Sequence, residues 1–513
     1  MSRRFRRTPP RPEFRVVPLP LQDSPAISST TGSGLGTRAT SGFIWLLAQS
    51  VLTKAAGLVA QLLWTRFLLP SDLGLFTVAY AITLGVGWMQ EAGTREVLVR
   101  RPKHYERRAN SAFWLSVLIA LGGYAFVWSL APLLEHFYNR PQLALLVRIA
   151  SLSPTLVSLT NVATAKLEIE MRFSLLARVN LAVFVSQSIL TVVFAALKFG
   201  PLSFVLPLAI TQVVRCAYLY SVARPPIHLK LESAKWKYLL SGIGLLIITG
   251  ACNFVLWQGD NIILGRVVSP AEVGLYAFAY NLSQQMLFLL SNNINSVLLP
   301  TLSRLNLDRT RQLDVYMRAI RALAVVGILL CLLPGVLAPA LLGLFFKAKW
   351  GAAAPILFVL SIGMAVRVAD VTSEALLKAQ GRFSVLTASS IAHAATFAIA
   401  GLLAAHYKGA LGMACAVGAC IALFGPLRVY VSIRPLGGHL RDVLGVFGGA
   451  FALFATSQAI PFFIAHWVFP NSHLALLVLS SVLGTLIYLA LLRTLSPALW
   501  NDVLSRLKRK RSL

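Results

Sequence analysis

The chain has 513 residues, 57% of them hydrophobic and only 13% charged, with a mean hydropathy of +0.72. That balance excludes an ordinary soluble domain, in which about a quarter of residues carry charge. The net charge of +29 suggests nucleic acid, but the basic residues sit in alternate loops, a pattern that belongs to membrane topology instead.

Residues 1–40 are rich in Arg, Pro, Ser and Thr, with no apolar stretch long enough for a signal-peptide core, and read as a disordered basic cytoplasmic tail. Apolar runs of about 20 residues then recur, each long enough to cross a bilayer. They fall roughly at 43–65, 75–94, 110–133, 142–163, 175–197, 202–222, 238–258, 275–298, 319–345, 353–377, 384–405, 409–430, 443–467 and 473–493. The expected class is an all-α membrane protein with about fourteen transmembrane helices. Its divisions are an N-terminal six-helix bundle over 41–222, a cytoplasmic linker over 223–237, a C-terminal six-helix bundle over 238–432, two extra transmembrane helices over 433–495, and a basic cytoplasmic tail over 496–513.

Loop 2–3 carries Arg95, Arg100, Arg101, Lys103, Arg107 and Arg108, and the loops after spans 6, 8 and 12 are likewise basic, Arg428 being counted in the last. The intervening loops hold only Arg140, Lys198 and Lys408. This alternation places both termini in the cytoplasm. The five cysteines all fall inside spans without metal-ligand context, so neither a disulfide framework nor a metal is expected. There is no G-x-x-x-x-G-K-[ST] phosphate cradle, and every loop is too short for a soluble catalytic domain. The chain is expected to move something rather than transform it: not an enzyme, and with no cofactor.

The sequence also repeats itself. Arg66, Pro70, Gly74, Leu75, Ala79 and Tyr80 return 200 positions later as Arg266, Pro270, Gly274, Leu275, Ala279 and Tyr280, with an acid at 72 and 272 and an aromatic at 76 and 276. Arg172-Phe173-Ser174 returns as Arg382-Phe383-Ser384 at an offset of 210. Six spans bring the chain back to its starting side, so the halves are parallel repeats about an axis along the membrane normal. The wider second offset points to extra residues after span 8, with Ser303–Arg318 the obvious place.

The Pro-x-[DE]-x-Gly-Leu-aromatic-x-x-Ala-Tyr element, the preceding Asp260-Asn261-Ile262-Ile263-Leu264-Gly265, and the following Leu299-Pro300 with Leu302-Ser303-Arg304 resemble the polysaccharide flippases of the multidrug/oligosaccharidyl-lipid/polysaccharide exporter superfamily. The resemblance covers about residues 40–435. It implies two six-helix bundles in a V around a central cavity, alternating access, and an undecaprenyl-diphosphate-linked oligosaccharide moved to the outer leaflet of a bacterial inner membrane. It also implies membrane lipid, and a polysaccharide polymerase and co-polymerase, as partners, and no nucleic acid.

Such a substrate needs cations and hydrogen-bonding groups along its path. Lys54 and Gln61 share a face of span 1, and Asn253 and Asp260 have the same spacing in span 7. Asn281, Gln285, Asn292 and Asn295 stack along span 8 and suit sugar hydroxyls, being donors and acceptors at once. Interhelical packing is the competing role for this stripe, and for Lys54 the alternative is pairing with an acid such as Asp260. Arg367, Asp370 and Glu374 share span 10: either Arg367 and Asp370 form an internal salt bridge, or Asp370 or Glu374 exchanges a proton or sodium ion. The competing functions are a cation-coupled small-molecule or multidrug exporter of the same superfamily, and a membrane glycosyltransferase or polymerase.

Overall fold

The structure, a computed structural model, describes residues 52–91, 94–100, 102–228, 236, 243–468 and 472–495. Both tails, and most of the linker expected at 223–237, therefore lie outside the described residues.

Helices start and stop where proline and capping side chains dictate. Helix α1 covers residues 52–67 and α2 covers Pro70–Glu91. Pro70 opens α2, where its missing N–H removes no hydrogen bond, and the Asp72 carboxylate accepts the N–H of Leu69 at 2.8 Å. One repeat later α7 (Ile243–Val267) and α8 (Pro270–Arg304) are joined in the same way. Pro270 is at the first helical position and the Ser269 hydroxyl accepts the N–H of Glu272.

Between these pairs run α3 (Tyr105–Tyr138), α4 (Leu143–Ile169, in three short segments stepped at Ser151 and Thr160), α5 (Phe173–Ala196) and α6 (Leu202–Ala223). Their counterparts are α9 (Arg309–Val336), α10 (Ala354–Ala379), α11 (383–407) and α12 (410–433). The last two meet at Lys408-Gly409, where Gly409 has φ 57° and ψ −138°, backbone that only glycine holds without strain. Helices α13 (Leu440–Val468) and α14 (His473–Leu495) complete the chain.

Ten segments among the described residues are long and apolar enough to cross a membrane, and one of these, Phe383–Leu436, holds both α11 and α12. No strand occurs among the described residues. The all-α class is as expected, and α1, α7 and α8 bring the helices into line with about fourteen spans. Large apolar side chains such as Leu118, Phe126, Leu133, Val214, Ile399 and Phe463 stand exposed, the outer wall of a protein solvated by lipid.

The expected insertion at Ser303–Arg318 is corrected by the structure. Helix α8 runs to Arg304 and α9 starts at Arg309, capped by the Asp308 carboxylate on the N–H of Arg311. A dense run of charge reads as loop, yet a cap and periodic spacing make it helix. The extra residues enter between α9 and α10, as the helix Ala338–Phe345 and the turn Ala348–Ala353. Pro132 in α3 and Pro334 in α9 are still 202 positions apart, before the offset reaches 210.

The two halves meet at the end bearing Pro70 and Pro270, here called the proline end, through contacts that come in reciprocal pairs. A Cβ on Gly74 would lie 1.8 Å from the Pro270 carbonyl oxygen, and a Cβ on Gly274 would lie 1.8 Å from that of Pro70. Two helix starts thus cross backbone to backbone, a contact that only glycine permits. Beside them Arg140, from the α3–α4 connection, donates to the Val268 carbonyl at 2.6 Å. Lys349, from the α9–α10 connection, donates to the carbonyl of Leu68, the repeat equivalent of Val268. Lys347 and the Trp350 indole take the carbonyls of Arg66 and Thr65. Each half thus satisfies carbonyls that the other half's first helix leaves bare at its C-terminus.

Outside the repeat, the Tyr488 hydroxyl of α14 donates to the Val325 carbonyl of α9 at 2.8 Å. Tyr488→Phe should cost about 1 kcal/mol, visible as a drop of a few degrees in the melting temperature of the purified protein with transport intact. An apolar groove of about 820 Å³ lies between α9, α10 and α13, walled by Phe358, Phe451, Phe454 and Phe462, with Gln458 its one amide.

Candidate functional site

The seven-residue spacing of Lys54 and Gln61 turns both to one side of α1, and the four-residue spacing of Asn281 and Gln285 does the same on α8. The two faces meet. Lys54, Gln61, Asn281, Gln284 and Gln285 line one cavity of about 270 Å³ between the halves, with Trp64, Phe184, Phe278 and Phe288 as its aromatic walls. Across it the Gln285 amide donates to the Gln61 amide oxygen at 3.3 Å. The cavity thus offers one ammonium group, several amides able to donate and accept, and flat apolar faces.

The Lys54 ammonium nitrogen lies 5.3 Å above the Phe288 ring rather than beside a carboxylate. Phe288 stacks on Trp257 of α7 with centroids 5.7 Å apart and planes 15° from parallel. The Arg367 guanidinium of α10 lies 4.3 Å above Trp257. One line of side chains therefore runs from a cation of the first half, through two stacked rings, to a cation of the second.

The other expected site residues lie elsewhere. Asp260 is 2% exposed, and its carboxylate accepts from the Tyr276 hydroxyl at 2.8 Å and from the N–H of Asn261. It is not the partner of Lys54. Asn253, two turns away on α7, is half-buried and does not line the cavity. The side chains of Asn292 and Asn295 lie outside the described ones.

The expected salt bridge within α10 does not form. Asp370 pairs instead with Arg428 of α12 at 2.8 Å, with both side chains largely buried. A spacing of three residues leaves the two positions about 60° apart around a helix, enough for Arg367 to face Trp257 while Asp370 faces α12. Arg428 also donates to the Ser389 carbonyl at 3.4 Å and touches the ring nitrogen Nδ1 of His393 at 3.5 Å. Arg428 is therefore no loop residue, as its place among the basic residues after span 12 had implied, but an interior strut. Glu374 pairs with Lys378 at 2.6 Å, both about two-fifths exposed. It stands apart from the cavity.

Trp257 and Phe288 escaped a search built on polar groups out of place in a span, Gln284 lay beside the stripe that the search followed on span 8, and Arg428 had been counted with a loop. Trp257 had one usable signal, a place three residues before Asp260 and so on a neighbouring face of α7.

Over residues 63–355 the chain matches the family described as polysaccharide biosynthesis protein. It is 23% identical over 441 residues to the lipopolysaccharide biosynthesis protein WzxC of Escherichia coli (strain K12), covering 83% of this chain and 85% of that one. It is 25% identical over 360 residues to the succinoglycan biosynthesis transport protein ExoT of Rhizobium meliloti (strain 1021), covering 67% and 69%. Among solved structures it superposes on the lipid II flippase MurJ in an inward closed conformation with a TM-score of 0.74 at 14% identity, covering 89% of this chain and 99% of that one. An inward-facing multidrug resistance transporter of the MATE family, in the MOP superfamily, gives a TM-score of 0.62 at 14% identity, covering 77% and 98%. Likenesses at this identity speak for the fold. The repeated Pro-x-acid-x-Gly element, the two helix starts that cross at Gly74 and Gly274, and α2, α5 and α8 of the cavity wall fall within the matched residues, which begin inside α1; the chain belongs to the polysaccharide biosynthesis protein family.

Proposed function

We propose that this chain is a transporter that moves an undecaprenyl-diphosphate-linked oligosaccharide from the cytoplasmic to the outer leaflet for surface polysaccharide assembly, by alternating access. The observation that carries this reading is the cavity between the halves, where Lys54 stands among Gln61, Asn281, Gln284 and Gln285 in the middle of a lipid-solvated bundle. A diphosphate calls for the cation, sugar hydroxyls call for groups that donate and accept, and neither is needed for an apolar cargo. The relatives named for lipopolysaccharide and succinoglycan biosynthesis support a lipid-linked glycan as the cargo.

In this reading the membrane is a bacterial inner membrane, both termini are cytoplasmic, and the proline end faces outward. The halves 41–222 and 238–432 alternate between closure through the contact at that end and closure at the opposite end. The apolar groove beside α13 holds the polyprenyl chain, which has no reason to leave hydrocarbon while its head crosses. A polymerase and co-polymerase then consume the delivered units.

A clean deletion strain tests the proposal. Complete lipid-linked repeat units should accumulate on the cytoplasmic side, protected from an external glycan-modifying enzyme, with surface polymer lost. Normal arrival of these units at the outer face would overturn the proposal and favour small-molecule export. In the complemented strain, Lys54→Ala should slow transport roughly 10- to 100-fold, the worth of one hydrogen bond to a charged group, while Lys54→Arg retains most of it.

A further inference from the structure

From the line Lys54–Phe288–Trp257–Arg367 we infer that Phe288, which lines the cavity, and Trp257, stacked on it, form a sugar-stacking platform, and that it is opened by the diphosphate of the cargo. The inference rests on the proposed function and adds an order of events to it.

An aromatic pair beside amides is what a carbohydrate site offers, because the C–H face of a sugar ring packs on a flat ring while its hydroxyls bond to amides. Here the rings are stacked on each other, and one face of each is taken by its neighbour. Cations also lie over the rings, Lys54 5.3 Å from the centre of Phe288 and Arg367 4.3 Å from that of Trp257. A neutral sugar entering alone meets this pair already engaged.

Among the described residues no carboxylate forms an ion pair with Lys54 or Arg367, although the Arg367 side chain also bonds to that of Tyr280. Asp260, the acid that Arg367 feels, already accepts from Tyr276 and Asn261. A cation over a ring face gains much less than a cation bonded to a phosphate oxygen. A diphosphate in the cavity therefore draws Lys54 and Arg367 off the rings, and its attached sugars meet the faces so uncovered. The pairing of cation with ring acts as a filter: it admits a glycan carried on a diphosphate and turns away the same glycan without one. Because Lys54 belongs to the first half and the rest of the line to the second, the same anion removes one link between the halves.

The test uses the full chain in lipid nanodiscs, with 5-fluorotryptophan at its ten tryptophans and Trp257→Phe to identify the Trp257 resonance by ¹⁹F NMR. Inorganic pyrophosphate should move that resonance saturably while sodium sulfate of equal ionic strength does not. In Arg367→Met the resonance should start near the shifted position and respond little. Undecaprenyl diphosphate and the lipid-linked oligosaccharide extracted from the deletion strain are then compared. Trp257→Leu, and independently Phe288→Leu, should weaken the glycan-bearing lipid several-fold without weakening undecaprenyl diphosphate. A Trp257 resonance unmoved at saturating pyrophosphate, or equal weakening of both lipids, overturns the inference while leaving the proposed function in place. Failure of the wild-type chain to bind either lipid overturns the proposed function itself.

Discussion

Alanine at Gly274 should nearly abolish transport while leaving the chain folded and in the membrane. The new methyl carbon would stand 1.8 Å from the Pro70 carbonyl oxygen, with backbone rather than a yielding side chain on the other side. The halves must then separate at the proline end by more than an ångström. That separation breaks the bond from Arg140 to Val268 and the one from Trp350 to Thr65. Two such bonds, one of them charge-assisted, are worth about 3 kcal/mol together, which shifts a closed-to-open balance by roughly 100-fold. Gly74→Ala should act alike through Pro270. The measurement is labelling of Gln61→Cys, in a background without the native cysteines, by a membrane-impermeant maleimide. Labelling from the side that the proline end faces should rise sharply in either glycine variant. The double variant Arg140→Ala/Lys349→Ala should raise it less, since it removes bonds without inserting atoms. Unchanged labelling in the glycine variants would mean that this contact is not the closure.

Asp370→Ala should be the most destabilising single change within the second half. It leaves the Arg428 guanidinium buried at 6% exposure without its carboxylate, and stranding one member of a buried pair costs about 3–5 kcal/mol. The melting temperature of the purified protein should fall by many degrees and expression should drop. Replacing both members, Asp370→Met with Arg428→Met, should restore most of the stability, because two apolar side chains pack where two charges had to be desolvated. The double variant also separates two roles. The carboxylate faces α12 rather than the cavity, so transport should persist within several-fold. Restored stability with transport lost would instead assign proton or sodium coupling to Asp370, the role that an acid in a span invites.

Architecture was legible because the bilayer imposes simple rules on a sequence. Long apolar runs needed no partner to be read, and the break between α11 and α12 fell near its place from hydropathy alone. The cavity residues of α1 and α8 were legible for a similar reason, since Lys54, Gln61, Asn281 and Gln285 have spacings that share a face and a chemistry unsuited to lipid. What lay hidden depended on the opposite helix. Nothing local says that Arg367 turns to Trp257 and Asp370 to Arg428; three residues on one helix diverge by a fraction of a turn, and the neighbours decide. Arg428 was read by its charge as part of a loop, whereas its surroundings make it core. Aromatic rings carry no such flag either way, because Trp257 and Phe288 are as ordinary in a span as they are useful in a sugar site.

The crossing at Gly74 and Gly274 has a consequence for how this chain can change. Each half offers the other the same patch that it receives, so the contact has the geometry of a twofold homodimer folded into one polypeptide. In such an arrangement the two copies serve as each other's template: a side chain added to one alters the surface against which the other must close. The internal echo that stands out at 66–80 and 266–280 therefore marks the part of a duplicated ancestor that could not drift without its twin.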